Sequence, residues 1–304
     1  MGRSGSVARG GLACIAALLA CVPLTAFAQS GAVLVGVAPS SGEPPAPPAA
    51  SESRSIGVPD RGRLRDAVEL TAGPHVVLRE GRRQAWFGTR ELVDVIRHAA
   101  AEVARAHAGS RLLVGDLSGP NGGRLSPHRS HRSGRDADVG FYLVDEEGRP
   151  AEPPRFVRLR RDGCGRIGEA RYCFDAARNW TLLVALLTHP VARVQYVLVA
   201  PDIRRRVLEE GERRGAPPEL IERVRIATAP HTGSHSHRSH FHVRIYCPVD
   251  DRPECIDEPP YHAWYEGTPS PDAARVSRRR ARIRRAIARR RAARAAQRAA
   301  ARGN

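Results

Sequence analysis

Two short stretches of the chain alternate apolar and polar residues with the period of a strand. In Ser239-His240-Phe241-His242-Val243-Arg244-Ile245, the residues Phe241, Val243 and Ile245 face a core, so His240, His242 and Arg244 leave together from the opposite face. Arg135-Asp136-Ala137-Asp138-Val139-Gly140-Phe141 has the same grammar, with Ala137, Val139 and Phe141 inward and Asp136 and Asp138 outward. A helical period follows Thr89-Arg90-Glu91, where Leu92, Val93, Ile96, Ala100, Val103 and Ala104 recur until Gly109. Leu112-Leu113-Val114 predicts a strand that runs through Gly115-Asp116 into a turn-rich loop over 118–123. Further helices are predicted over 180–188, after Pro201 and after Pro217, with strands over 195–199 and 224–227. Helices and strands intermingle without a βαβ repeat. That predicts a single α+β domain over residues 60–268, its central sheet largely antiparallel and flanked by helices.

The ends of the chain differ in kind from this middle. Residues 1–28 carry Arg3 and Arg9, an apolar run over 12–20 and then Ala26-Phe27-Ala28, the order of a secretory signal cut after Ala28. Export to the periplasm follows. Leu18-Leu19-Ala20-Cys21 offers an alternative, a lipoprotein anchored through Cys21. Residues 29–59 are rich in proline and serine and predict an extended tether, and residues 269–304 form an Arg/Ala-rich tail.

The position of the charge along the chain matters more than its sum. The 304 residues carry a formal +17, and all 49 basic residues are arginine. Thirteen of them lie between Arg275 and Asn304 with no acid, and two more in the leader, so residues 29–274 hold a net charge of +2. The folded part is nearly neutral, which argues against a specific nucleic-acid partner. After the leader no run of about 18 apolar residues occurs, which excludes a polytopic membrane protein.

Four cysteines remain outside the leader, an even number in an exported chain. Three pairings are possible. Cys164 with Cys173 and Cys247 with Cys255 is favoured because it closes two short polar loops; a four-cysteine zinc site is the alternative, though its spacings do not resemble zinc knuckles. Of twelve histidines, five fall between His231 and His242, and His128 and His131 share one loop. His75, His98, His107, His189 and His262 are scattered and read as surface or helix-end imidazoles. Because His131-Arg132-Ser133-Gly134 has no apolar anchor, it can fold back so that His131 approaches Asp138. His131, Asp138 and His242 then supply three donors of the kind zinc prefers and leave a fourth position for water.

The segments Gly122-Gly123-Arg124, His128 through Asp138, and His237-Arg238-Ser239-His240-Phe241-His242-Val243-Arg244 resemble the penicillin-insensitive murein endopeptidases. These are part of the wider fold group of lysostaphin-type and D-Ala-D-Ala peptidases and hedgehog domains. The likeness includes Trp86-Phe87-Gly88 and Tyr246-Cys247-Pro248, and covers about residues 58–260. It implies one Zn²⁺ per chain on His131, Asp138 and His242, catalytic roles for His240 and His237, and an additional active-site histidine in His128. It also implies a substrate, the D-Ala to diaminopimelate cross-link between peptidoglycan stem peptides. Asp136 is either an acceptor that fixes a histidine tautomer or a carboxylate that stiffens its loop. Ser130, Ser133, Ser236 and Ser239 stand in no nucleophile-elbow or Ser-x-x-Lys context, so a β-lactam has no serine to acylate.

Three other readings stay open on the sequence: a D,D-carboxypeptidase or dipeptidase of the same fold, a non-catalytic zinc-dependent wall-binding protein, and a histidine-rich metal buffer. The tail, with Ile283 and Ile287 at helical spacing among arginines, reads as a cationic helix for an anionic wall or membrane surface, or as a frayed basic extension. Deleting residues 275–304 is expected to abolish salt-sensitive retention on purified cell wall; unchanged retention at low salt would rule out anchoring by the tail.

Overall fold

The computed structural model describes residues 53–230 and 237–268, with six further residues between Arg282 and Gln297, all helical and exposed. The leader, most of the tether, and Ile283 and Ile287 lie outside the described residues.

Among the described residues Thr89 starts the longest continuous helix, α1 (Arg90–Ala106), by accepting the Leu92 N–H on its hydroxyl at 3.3 Å. Leu92, Val93, Ile96, Ala99, Ala100 and Val103 form its buried stripe. Asp175 caps α2 (Ala176–Leu187) in the same way. This helix is apolar on most sides because it lies between α1 and the pair α3 (Pro201–Arg213) and α4 (Pro218–Ala227). Both later helices have proline in their first turn, where its missing N–H costs nothing.

The strand expected over 224–227 is the end of α4. Leu220, Ile221, Val224 and Ala227 recur every three or four residues, and four apolar positions alone cannot distinguish a strand from the last turn of a helix.

In chain order the strands begin with β1 (Arg54–Ile56), β2 (Arg63–Arg65), β3 (Val68–Glu69), β4 (Val76–Leu78), β5 (Phe87–Gly88), β6 (Leu112–Val114) and β7 (Asp136–Gly140). They continue with β8 (Leu143–Val144), β9 (Pro150–Ala151), β10 (Cys164–Ile167), β11 (Ala170–Phe174), β12 (Val194–Leu198) and β13 (His240–Ile245). The central sheet has the order β12-β13-β7-β6-β4, and only its β4–β6 pair is parallel. A smaller sheet has the order β10-β11-β8-β9. The fold is therefore α+β with a mainly antiparallel centre.

One side of the central sheet is apolar. Val114, Ala137, Val139, Phe241 and Val243 join Val93 and Ile96 of α1 and Leu182, Leu183 and Leu186 of α2 in one buried cluster. The other side is the polar one. Across β7 and β13, Asp136 stands opposite Arg244, Asp138 opposite His242 and Gly140 opposite His240.

Both disulfides are the local pairs, Cys164–Cys173 across the β10–β11 hairpin and Cys247–Cys255, so the four cysteines form no zinc site. The fold also takes in part of the stretch expected as tether. β1 pairs with β2, and buried Ser55 donates its N–H to Asp251 at 2.7 Å and accepts on its hydroxyl from Arg135 Nε at 3.1 Å. Composition cannot reveal such a segment, because its serines are held by polar partners distant in sequence. No helix among the described residues is long and apolar enough to cross a membrane.

Arg135 is fully buried, and its charge is met by Asp257 at 2.8 Å. Asp257 also accepts the Cys247 N–H at 2.9 Å, so this ion pair ties the start of β7 to the C-terminal disulfide loop. Asp257→Ala, which strands a buried guanidinium, is expected to cost about 3–5 kcal/mol in urea unfolding with the disulfides intact.

Candidate active site

The loop between β6 and β7 reaches the polar side of the sheet only by an unusual backbone path. His131 has φ of 63°, a left-handed conformation rare outside glycine. It is held there from several directions: Ser118 Oγ donates to its carbonyl at 2.8 Å, and its own N–H donates to Asp136 Oδ2 at 3.4 Å. Gly134, at φ of 73°, closes the loop against α1, its carbonyl accepting the Thr89 N–H at 2.9 Å. A Cβ there would stand 2.6 Å from the Leu64 side chain, so only glycine fits.

Hydrogen bonds fix which nitrogen of each buried histidine carries its proton. A carbonyl can only accept, so the 2.6 Å contact to Leu117 O requires a proton on His131 Nδ1 and turns the Nε2 lone pair inward. His242 Nε2 lies 2.8 Å from Asp136 Oδ1 and donates to it, which turns Nδ1 inward. The inward atoms meet Asp138. His131 Nε2 and His242 Nδ1 are 3.2 Å apart, and Asp138 Oδ1 is 3.3 Å from the first and 3.2 Å from the second. A tetrahedral ion with arms of about 2.0–2.1 Å has donor-to-donor edges of about 3.4 Å, so the triangle fits one. A second grouping shares two members: His128, His131 and Asp138 each offer a ligand atom within 4.8 Å of the others.

The charges around this triangle are strongly coupled. Burial would raise Asp136, but Arg244 and the His242 hydrogen bond hold it well below the ordinary carboxylate range. Burial would also raise Asp138, which His131, His240 and His242 hold down. Burial pushes His131 below its ordinary value. On His242 it is outweighed by Asp136 and Asp138, which push that imidazole up to about 9. The two carboxylates thus favour the protonated form of His242, and a cation on His242 Nδ1 would compete with a proton.

The remaining histidines ring the triangle. His240 Nε2 is 3.4 Å from Asp138 Oδ1, and its Nδ1 is 2.9 Å from Ser239 Oγ. The ring of His237 is centred 5.3 Å from that of His240 and 5.5 Å from that of His242. His128 packs 4.1 Å from His131, centroid to centroid. All seven site residues named from the sequence, His128, His131, Asp136, Asp138, His237, His240 and His242, therefore come together on one face of the sheet. Asp136 does not point to solvent: it lies fully buried beneath His242. Of the scattered histidines, His107 caps the C-terminus of α1, and His189, buried directly after the C-cap of α2, accepts the Ala192 N–H at 2.9 Å, so both are helix-end imidazoles. His231 and His235 lie outside the described residues.

Two participants escaped sequence reasoning. Asp116, buried just after β6, accepts from Arg79 Nη2 and Arg82 Nη2 at 2.7 Å and bonds His128 Nε2 at 2.7 Å. Burial would raise it, and these three partners hold it well below its ordinary range. An acid directly after an apolar strand was its only signal. Phe156 stacks on His240 with ring centroids 5.0 Å apart, and nothing in its local sequence marks it.

A mainly antiparallel sheet presenting buried imidazole and carboxylate donors beside further histidines defines a hydrolase-type site able to hold a cation. The model of the family described as penicillin-insensitive murein endopeptidase matches residues 55–268. Proteins of that name from Pectobacterium atrosepticum and Salmonella heidelberg are 30% and 28% identical to this chain, each over 70% of it and over 72% and 73% of their own lengths. One from Yersinia pestis is 27% identical over 76% of this chain and 82% of its own. The chain belongs to the penicillin-insensitive murein endopeptidase family.

In Asp136→Asn an amide replaces one of two oxygens that both accept hydrogen bonds. Zinc affinity, read by competition with a chelating dye, is expected to fall about 10- to 100-fold as His242 loses its fixed tautomer.

Proposed function

We propose that this chain hydrolyses the D-Ala to diaminopimelate cross-link between peptidoglycan stem peptides, with one Zn²⁺ held by His131, Asp138 and His242. The observation that carries the reading is the donor triangle with edges of 3.2–3.3 Å, both imidazole donors turned inward by their outer hydrogen bonds. Two imidazoles and a carboxylate match zinc, and three protein donors leave the open position that catalysis needs. His242 is preferred to His128 as the third ligand. The Nε2 of His128 is already engaged by Asp116 at 2.7 Å and is 3.7 Å from Asp138 Oδ2, while His242 Nδ1 faces the cluster alone.

Bound zinc would supply Lewis acidity, bringing the pKa of water near 7 and polarising the scissile carbonyl. The chain's own groups do the rest. His240, steadied by the Phe156 stack and the Ser239 contact, takes the proton of the attacking water on Nε2 or, when charged, stabilises the oxyanion. His237, beside it, donates a proton to the leaving amine. Asp136 keeps His242 in the ligating tautomer, and Asp116 holds His128 at the rim. The relatives' names place their activity on murein, which lies outside the cytoplasm, and this supports the periplasmic reading of the leader.

Mass spectrometry of products from a defined cross-linked muropeptide dimer tests the proposal. Cleavage is expected to survive penicillin, stop with a zinc chelator and return with added zinc. Products arising only from free stem ends would instead identify a carboxypeptidase. His240→Ala is expected to lower turnover about 10²- to 10⁴-fold with zinc retained. His131→Ala and Asp138→Ala are expected to lose the metal, and a full zinc complement in both would overturn the ligand set.

A further inference from the structure

Phe156, whose ring stacks on His240, opens a segment in which Val157 and Leu159 are buried while Arg158 and Arg160 are exposed. Both arginine side chains therefore reach solvent within four residues of Phe156. The segment is joined to the approach to β13. Leu159 N donates to Arg238 O at 2.9 Å, and Arg238 Nε donates to Leu159 O at 2.8 Å, two residues before His240. With Arg161 and Arg166 these residues line an open groove of about 590 Å³. Some of its cations are already matched: Arg238 ends on both oxygens of Asp202 at 2.6–2.7 Å, and Arg166 has Glu146 at 3.5 Å. Among the described residues, no carboxylate pairs with Arg158, Arg160 or Arg161. The groove wall is also held rigidly, since Arg160 N donates to Cys164 O at 2.7 Å and Cys164 is bonded to Cys173 across the β10–β11 hairpin.

We propose that this groove is a specificity subsite for the free carboxylates of the stem peptide whose amide is cut, an inference that rests on the endopeptidase reading. A planar guanidinium fork pairs with a carboxylate through two parallel hydrogen bonds, and arginines without a carboxylate partner can supply this without breaking an existing ion pair. The groove is joined to the histidine cluster along the chain, since Arg158 follows Phe156 by two residues and Arg238 precedes His240 by two. This connection to His240 favours the substrate over an unrelated anion.

Calorimetric binding of an uncross-linked stem tetrapeptide to the intact zinc-loaded protein tests this separately from cleavage. The free-acid peptide is expected to bind about tenfold more tightly than its carboxamide, from one or two charged hydrogen bonds. In Arg158→Gln/Arg160→Gln that preference is expected to disappear, with zinc content and melting temperature unchanged; Arg158→Lys/Arg160→Lys should restore part of it. Equal affinity for acid and amide in the wild type, or an undiminished preference in the Gln variant, would overturn the proposal. So would displacement of the peptide by inorganic phosphate at equal concentration, which would mark a phosphate site. Binding with the expected preference, but no cut in the cross-linked dimer, would count against the endopeptidase reading alone.

Discussion

The site exists because β7 and β13 pair in one register and no other. Asp138 faces His242 and Asp136 faces Arg244 across that pair, so the donors meet through cross-strand geometry, with only His131 brought in by a loop. Slipping either strand by one residue would turn every polar side chain into the helices and every apolar one toward the cleft. The register is enforced from behind. Ala137, Val139, Phe241 and Val243 are wholly buried, and each alternates with a member of the cluster. The hydrophobic face therefore positions the hydrophilic one, and the Asp136–Arg244 ion pair adds an electrostatic preference for the same alignment.

Bringing so much charge out of water is costly, and the fold offsets it by pairing. Asp116, Asp136, Asp138, Arg135 and Arg244 are all buried, yet each faces an opposite charge or several donors. Such networks contribute little net stability, because desolvation consumes most of the Coulomb gain, but they define geometry sharply. His131 adds local strain at φ of 63°, sustained by contacts from Ser118, Leu117 and Asp136. The cluster is thus braced from several sides by its own hydrogen bonds.

Around this centre the chain divides its labour by charge. Acids, imidazoles and Arg244 occupy the sheet face, and two further groups of arginines lie around it: Arg79 and Arg82 on Asp116, and Arg158 and Arg160 just after Phe156 in the chain. Phe156 links the face to the first of these groups, with His240 stacked on its ring and Arg79 5.3 Å from its centroid.

Much of this could be read from the order of residues. Alternation in 135–141 and 239–245 reports directly which side chains share a face, because the strand period is two and does not depend on the partner strand. The same holds for α1, whose stripe is local, and for the short disulfide loops. What depended on distant partners stayed hidden: Ser55 and its strand, held by Arg135 and Asp251; Asp116, meaningful only once Arg79, Arg82 and His128 surround it; Phe156, recognisable only against His240. The end of α4 was misread because four apolar residues carry too little periodicity to outweigh their local ambiguity. Local pattern dictates which way a side chain leaves its own backbone, whereas which groups it then meets is settled by long-range packing, where contacts gain their energy from residues a hundred positions away.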